Sequence, residues 1–244
     1  MKHTEVTAHM PNAEVELILN QKGGVGKSTL SMNLAATTAE VLASDPNEPS
    51  PVAVVSIDPQ GSAAWWAERM KVLPFHIVQT HEDVAGLRRL RELDGIKQVF
   101  VDTPGWMGHE GTAEDPLHGL AYADALHAAL DSATHVLVPL EPEPLSFDPT
   151  ARTIETLIKP RGLDYLVVIN NWDPRDGEVD LEQTKAFVKA NEWPLANTVV
   201  RHYKVHTRAS ADGVVVTQYP KNRVSLECRQ DFARLALELK TGGR

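Results

Sequence analysis

Residues 22–29 read Lys22-Gly23-Gly24-Val25-Gly26-Lys27-Ser28-Thr29, three glycines and two lysines followed by a pair of hydroxyls. Glycines let the backbone wrap closely, and the N–H groups of such a turn, running into a helix N-terminus, face an anion. In that chemistry Val25 and Thr29 contribute backbone to the cradle, Lys27 reaches the β- and γ-phosphates of a nucleotide, and the Ser28 hydroxyl ligates Mg²⁺. The common pattern G-x-x-x-x-G-K-[ST] has glycine where this chain has Gln21, and Lys22 is an extra cation.

Two carboxylates follow apolar runs. Asp102 ends Val99-Phe100-Val101 and precedes Thr103-Pro104-Gly105, which suits a strand delivering a carboxylate to a metal, through water, ahead of a turn that senses the terminal phosphate. Asp58 ends Val54-Val55-Ser56-Ile57 and precedes Pro59-Gln60-Gly61. A carboxylate at a strand end can cap the next helix. Asn170 and Asn171 close another apolar run, where an amide offers a donor and an acceptor to an adenine edge, or else forms a turn before Asp173-Pro174.

Such groups must be held by strands and helices in alternation. Apolar β-type runs occur at 14–20, 52–57, 75–79, 98–101, 135–140, 163–169 and 198–200. Helical spacing occurs at 29–43, 62–70, 83–93, 117–130, 149–158, 181–190 and 225–239. Strands rich in Val, Ile and Leu on both faces predict an α/β fold with a mostly parallel, twisted sheet flanked by helices on both faces. Ligands bind such sheets at the carboxyl ends of strands, where all these motifs fall. The loops 45–51 and 106–116 are expected to be mobile. At 244 residues the chain fits one domain, with 1–13 flexible and 200–244 a basic part of the same domain.

The run 22–29 resembles the deviant Walker A motif, K-G-G-x-G-K-[ST], of the ParA/MinD family of dimerising P-loop ATPases. The stretch around Asp58 resembles the family's h-h-D-x-D-P-Q-G signature, with Ser56 in place of an Asp, and the stretch around Asp102 resembles Walker B. The resemblance covers most of the chain. It implies ATP and Mg²⁺ as ligands, Lys22 reaching the phosphates of a second subunit in an ATP-dependent homodimer, and Lys22, Lys27 and Asp58 as catalytic. It also implies slow hydrolysis stimulated by a partner.

The output is read from charge. The net charge is -9, yet residues 200–244 hold nine Lys/Arg against four acids. Arg201, Lys204 and Arg208, with Lys221 and Arg223, resemble the basic stretches of ParA partition proteins. That resemblance implies non-specific DNA binding, nucleoid association and a centromere-binding ParB-like adaptor. The cargo stays open between plasmid, chromosome and protein assembly. A MinD-like membrane role is the other class, and Leu226, Phe232, Leu235 and Leu239 read instead as the packing stripe of a core helix. A single Cys228 excludes an iron–sulfur carrier with paired cysteines, and the absence of an apolar leader predicts a cytoplasmic protein. His202 and His206 have i,i+4 metal spacing but lack a third ligand. Of Trp65 and Trp66, one is expected in the core and the other at a partner surface.

Overall fold

The computed structural model describes residues 12–43, 45, 47–106 and 115–242, with only the backbone of Thr207. Within them the seven expected strands form one sheet: β1 (Glu14–Ile18), β2 (Val52–Ser56), β3 (His76–Gln79), β4 (Gln98–Asp102), β5 (His135–Leu140), β6 (Tyr165–Trp172) and β7 (Val200–Arg201). Their order is β3-β2-β4-β1-β5-β6-β7, and every pairing is parallel. From β1 the chain moves to one side for β2 to β4, then crosses over for β5 to β7. The crevice at such a reversal point is where open α/β sheets bind ligands, and the glycine-rich turn leaves β1 there.

Helices cover both faces because β2, β4 and most of β1 and β5 are buried throughout. One face carries α1 (Lys27–Leu42), α2 (Ser62–Ala67), α7 (Lys204–Asp212) and α8 (Arg223–Thr241), packed through Leu30, Leu34, Trp66, Val205 and Phe232. The other carries α3 (Val84–Leu87), α4 (Ala123–Ser132), α5 (Phe147–Thr153) and α6 (Val179–Ala190), packed through Leu87, Leu126, Phe147 and Val188. No helix among the described residues is long and apolar enough to cross a membrane.

Several boundaries differ from the sequence expectation. The stretch 83–93 breaks into α3, whose N-cap Asp83 accepts from the Gly86 N–H, and a 3-10 turn at Leu90–Glu92. The helix expected over 117–130 starts only at Ala123; residues 116–119 and 121–122 are in turn conformation. Past Arg201 the chain does not continue as a strand edge, since Lys204 opens α7, which local spacing did not suggest. On α8, Phe232 and Leu235 are fully buried as expected and Leu239 packs beside them. Leu226 is half-exposed instead, on the opposite side from that stripe. The expected flexible segment lies mostly in residues 1–11, and most of the loop 106–116 lies at 107–114, both outside the described residues.

Candidate nucleotide-phosphate site

The turn after β1 is pinned before it reaches the glycines. Asn20 donates to the Pro139 carbonyl and to Thr150 Oγ1, each at 2.8 Å, while its Oδ1 accepts from the Lys22 N–H at 2.9 Å. The Gln21 N–H donates to Thr153 Oγ1 at 3.0 Å. Beyond Gly23 and Gly24 there is open space where a Cβ would stand, and Gly26 has a φ of +85 with the Asn170 amide pressed against it. Helix α1 then starts without a side-chain cap and without an acid in its first turn. Its free N–H groups and its dipole are left for an anion. A cavity of about 670 Å³ opens here, bounded by the glycines, Lys27, Ser28, Asp58 and Gly105.

The two lysines of the motif occupy opposite settings. Lys27 is 7% exposed and donates from Nζ to the carbonyls of Asn20 and Lys22, each at 3.0 Å. Burial lowers its pKa to about 8, with Asp102, Asp58 and Glu141 pulling the other way, so it remains a cation at neutral pH. Lys22 lies outside the cavity lining, and its Nζ stands 3.7 Å from Glu143 Oε1 on the half-exposed side of the loop.

Asp102 is fully buried at the end of β4. Its Oδ2 accepts from Ser28 Oγ at 3.0 Å and from Ser56 Oγ at 3.2 Å, while Oδ1 has no hydrogen-bond partner. Burial pushes its pKa up to about 7, Asp58 adds to the rise, and Ser28, Ser56 and Lys27 oppose it. A buried carboxylate oxygen without a partner, beside the Ser28 hydroxyl and an anion cradle, fits a divalent cation. Among the described residues no cluster of three or more His, Cys, Asp or Glu could hold a metal. Mg²⁺, which takes one or two protein oxygens and completes its shell with phosphates and water, matches that donor set. Ser56, in place of the family's extra Asp, spends its hydroxyl on Asp102; the sequence marked the departure but not this contact.

Asp58 does not cap α2 as the alternative reading expected, because that helix begins at Gly61 without a side-chain cap. Its Oδ1 accepts from the Gln60 N–H at 2.9 Å, which shapes the turn into α2, and its side chain borders the cavity. Its carbonyl accepts from the Gly61 N–H at 2.9 Å and from Gln79 Nε2 at 3.1 Å, so the edge strand helps to position it. Across the cavity, Thr103 Oγ1 donates to the Ile18 carbonyl at 2.7 Å and the Trp106 N–H donates to the Gln21 carbonyl at 2.9 Å. The turn after Asp102 is thereby stapled to the glycine-rich loop. Tyr122, which sequence reasoning missed because it lies 17 residues further on, donates to the Gly105 carbonyl at 3.1 Å.

The asparagines divide. Asn170 is buried and donates to the Val25 carbonyl at 2.7 Å, so one of its amide N–H groups holds the loop. Asn171, in the left-handed region with φ 64 at a bulge in β6, donates to Glu141 Oε1 at 2.7 Å. It borders a second cavity of about 550 Å³ that continues from the glycines towards Trp65, His202 and His206. Trp66 is core at 3% exposure and Trp65 is 46% exposed under the Arg69 guanidinium, 3.6 Å from the ring centroid. The split expected of the pair is present. His206 is half-buried, its Nε2 faces the Arg201 carbonyl at 3.1 Å, and desolvation lowers its pKa.

The five basic residues singled out near the C-terminus do not form one uniform surface. Lys204, Arg208, Lys221 and Arg223 are exposed, and no ion pair involves Lys204, Arg208 or Lys221 among the described residues. Arg223 pairs with Glu227 at 3.0 Å. Arg201 departs from the expectation: its guanidinium binds Asp231 through Nε at 2.9 Å and Nη2 at 2.8 Å and also reaches the Glu227 carbonyl. Arg229 and Lys240 pair with Glu40 and Glu14. Arg244 lies outside the described residues.

Residues 17–240 match the family described as CbiA, the CobQ/CobB/MinD/ParA nucleotide binding domain. A protein of Gloeobacter kilaueensis described as "Maintenance of carboxysome distribution protein A" is 33% identical over 228 residues, 92% of this chain and 93% of that one. The fold is similar to MinD in the MinC:MinD cell division protein complex of Aquifex aeolicus, with a TM-score of 0.68, 16% identity and coverage of 94% and 96% of the two chains. It is also similar to the Cyanothece McdA–ATP complex, with a TM-score of 0.66, 13% identity and coverage of 93% and 97%. With residues 17–240 matched by the family's model, the chain belongs to the CobQ/CobB/MinD/ParA family of nucleotide-binding domains.

Proposed function

We propose that this protein is a Mg²⁺-dependent ATPase of the ParA/MinD type that positions a protein cargo. The observation that carries the reading is the division of the two lysines: Lys27 is buried inside the cradle, while Lys22 faces outwards on the same loop. One serves the phosphates bound by its own chain, and the other exchanges its ion pair with Glu143 for the phosphates of a second copy. ATP binds with Lys27, Ser28, Thr29 and the loop glycines on its phosphates, and Mg²⁺, held near Ser28 and Asp102, neutralises phosphate charge. Asp58 orients the water whose oxygen bonds the terminal phosphorus as the bridging oxygen leaves with ADP.

The cargo reading is supported by the 33% identical relative, whose description concerns carboxysome distribution. It therefore takes precedence over plasmid partition, which the basic stretches alone had suggested. The dimer would hold non-specific DNA through Lys204, Arg208, Lys221 and Arg223 and release it after hydrolysis stimulated by an adaptor protein on the cargo.

One titration tests the reading: apo, ADP-bound and non-hydrolysable ATP-bound protein against DNA, beside anionic liposomes. ATP-specific, salt-sensitive retention on DNA is the expected result, with log–log slope falling by about one unit for each phosphate-contacting cation removed. Equal retention in the apo form, or retention on liposomes only, would overturn it. Lys22→Ala should remain monomeric with the ATP analogue by light scattering.

A further inference from the structure

The Gly105–Trp106 peptide is held at both ends. Its carbonyl accepts from the Tyr122 hydroxyl at 3.1 Å, and its N–H, on Trp106, donates to the Gln21 carbonyl at 2.9 Å. A peptide unit is planar, so fixing both poles fixes the orientation of the whole plane. Gly105 also lies so close to the glycine-rich loop that a Cβ on it would come 2.9 Å from Gly23 Cα and 3.0 Å from Gly23 N. The turn is thus held between the first glycine of the cradle and the hydroxyl of Tyr122, which stands immediately before α4.

The position of this clamp matters for what the cradle holds. The cradle runs from the N-terminus of α1 at Ser28 and Thr29 back to Gly23, and Lys27 Nζ is anchored near its Gly23 end through the Lys22 carbonyl. A phosphate chain whose inner groups sit on α1 therefore extends its outermost group towards Gly23, Gly105 and Asp58. Tyr122 borders the same cavity, and the charge of Asp58 reaches it, adding to burial in raising the phenol pKa.

We propose that Tyr122 is a positioning residue that, by clamping the Gly105–Trp106 peptide against the glycine-rich loop, sets the preference of the site for a nucleoside triphosphate over a diphosphate. The proposal rests on the reading of this cavity as the ATP site. A diphosphate does not reach the turn, so loosening the clamp affects only the ligand with a third phosphate. A contribution common to both nucleotides would come from α1 and Lys27.

Tyr122→Phe removes the hydroxyl and keeps the ring. Titration calorimetry of a non-hydrolysable ATP analogue and of ADP, each with Mg²⁺, on wild type and Tyr122→Phe reads the ratio of the two affinities. The loss of one hydrogen bond should lower ATP-analogue affinity about two- to tenfold and leave ADP affinity unchanged. An unchanged ratio, whether both affinities fall together or neither moves, overturns the role of Tyr122. Because the result is a ratio within one preparation, partial unfolding of the variant does not mimic it. Failure of the wild type to bind either nucleotide would instead sink the ATP reading of the site, and the proposal with it.

Discussion

At the phosphate end of the sheet, charge is buried and its surroundings are organised: Lys27 is 7% exposed, Asp102 is fully buried, and the glycine-rich loop is held by Asn20, Thr153 and Asn170. On the C-terminal face the cations stand in solvent or lie against acids, as with Arg223 at 92% side-chain exposure and Arg201 on Asp231. The difference teaches that the first region does chemistry through geometry, whereas the second can act only through accumulated charge. A buried ion is costly unless its surroundings are organised for it, and an exposed one is screened within about 10 Å at 0.1 M salt.

Lys27→Ala should break the first region outright. Nucleotide hydrolysis should fall on the order of 10²- to 10³-fold, in the range of removing one preorganised donor from a transition-state charge, read as steady-state phosphate release. A loss below about threefold would remove Lys27 from the phosphate chemistry.

Next in size is a pH effect belonging to the same buried cluster. The pKa of Asp102 rises from an ordinary 3.8 to about 7, so between those values the folded chain holds a proton that the unfolded chain has lost. Stability of the metal-free protein should therefore fall as pH climbs through that window, by an amount on the order of a few kcal/mol, and then level off. Asp102→Asn should flatten this part of the profile in urea melts across pH 4 to 8. A profile identical to that of the wild type would place the titration elsewhere.

The smallest effects should sharpen the contrast on the basic face. Asp231 is 3% exposed and receives Arg201 through both Nε and Nη2. Asp231→Ala leaves that guanidinium without its acceptor and should cost about 2 kcal/mol in chemical denaturation. Arg223→Ala, at an exposed pair, should leave stability where it was. Equal losses would mean that the two cations are held alike.

Local motifs were legible because their meaning is carried within one or two turns of chain. The glycine spacing, Lys27 beside Ser28, and apolar runs ending in Asp58 and Asp102 impose the strand–loop–helix geometry wherever they occur. The burial of β2 and β4 followed from Val, Ala and Phe on both faces. Helix ends were less legible: α3 is stopped after one turn, and α7 has too little apolar spacing to announce itself and is held by Val205 and Ala209 in the core. The loop contact of Asn170 was hidden for a similar reason, since the Val25 carbonyl that accepts from its amide is 145 residues away in sequence.

By itself, then, the sequence determined the alternating architecture, the phosphate-binding turn and the identity of its lysines and carboxylates, all short-range properties of backbone freedom and residue spacing. Tertiary structure alone decided that Lys22 faces outwards beside Glu143, that Ser56 serves Asp102, that Arg201 is sequestered by Asp231, and that Tyr122 grips the turn at Gly105. These pairings join residues 17 to 121 positions apart. Long side chains find such partners only after the sheet has brought the distant segments together, because no local conformational preference specifies them.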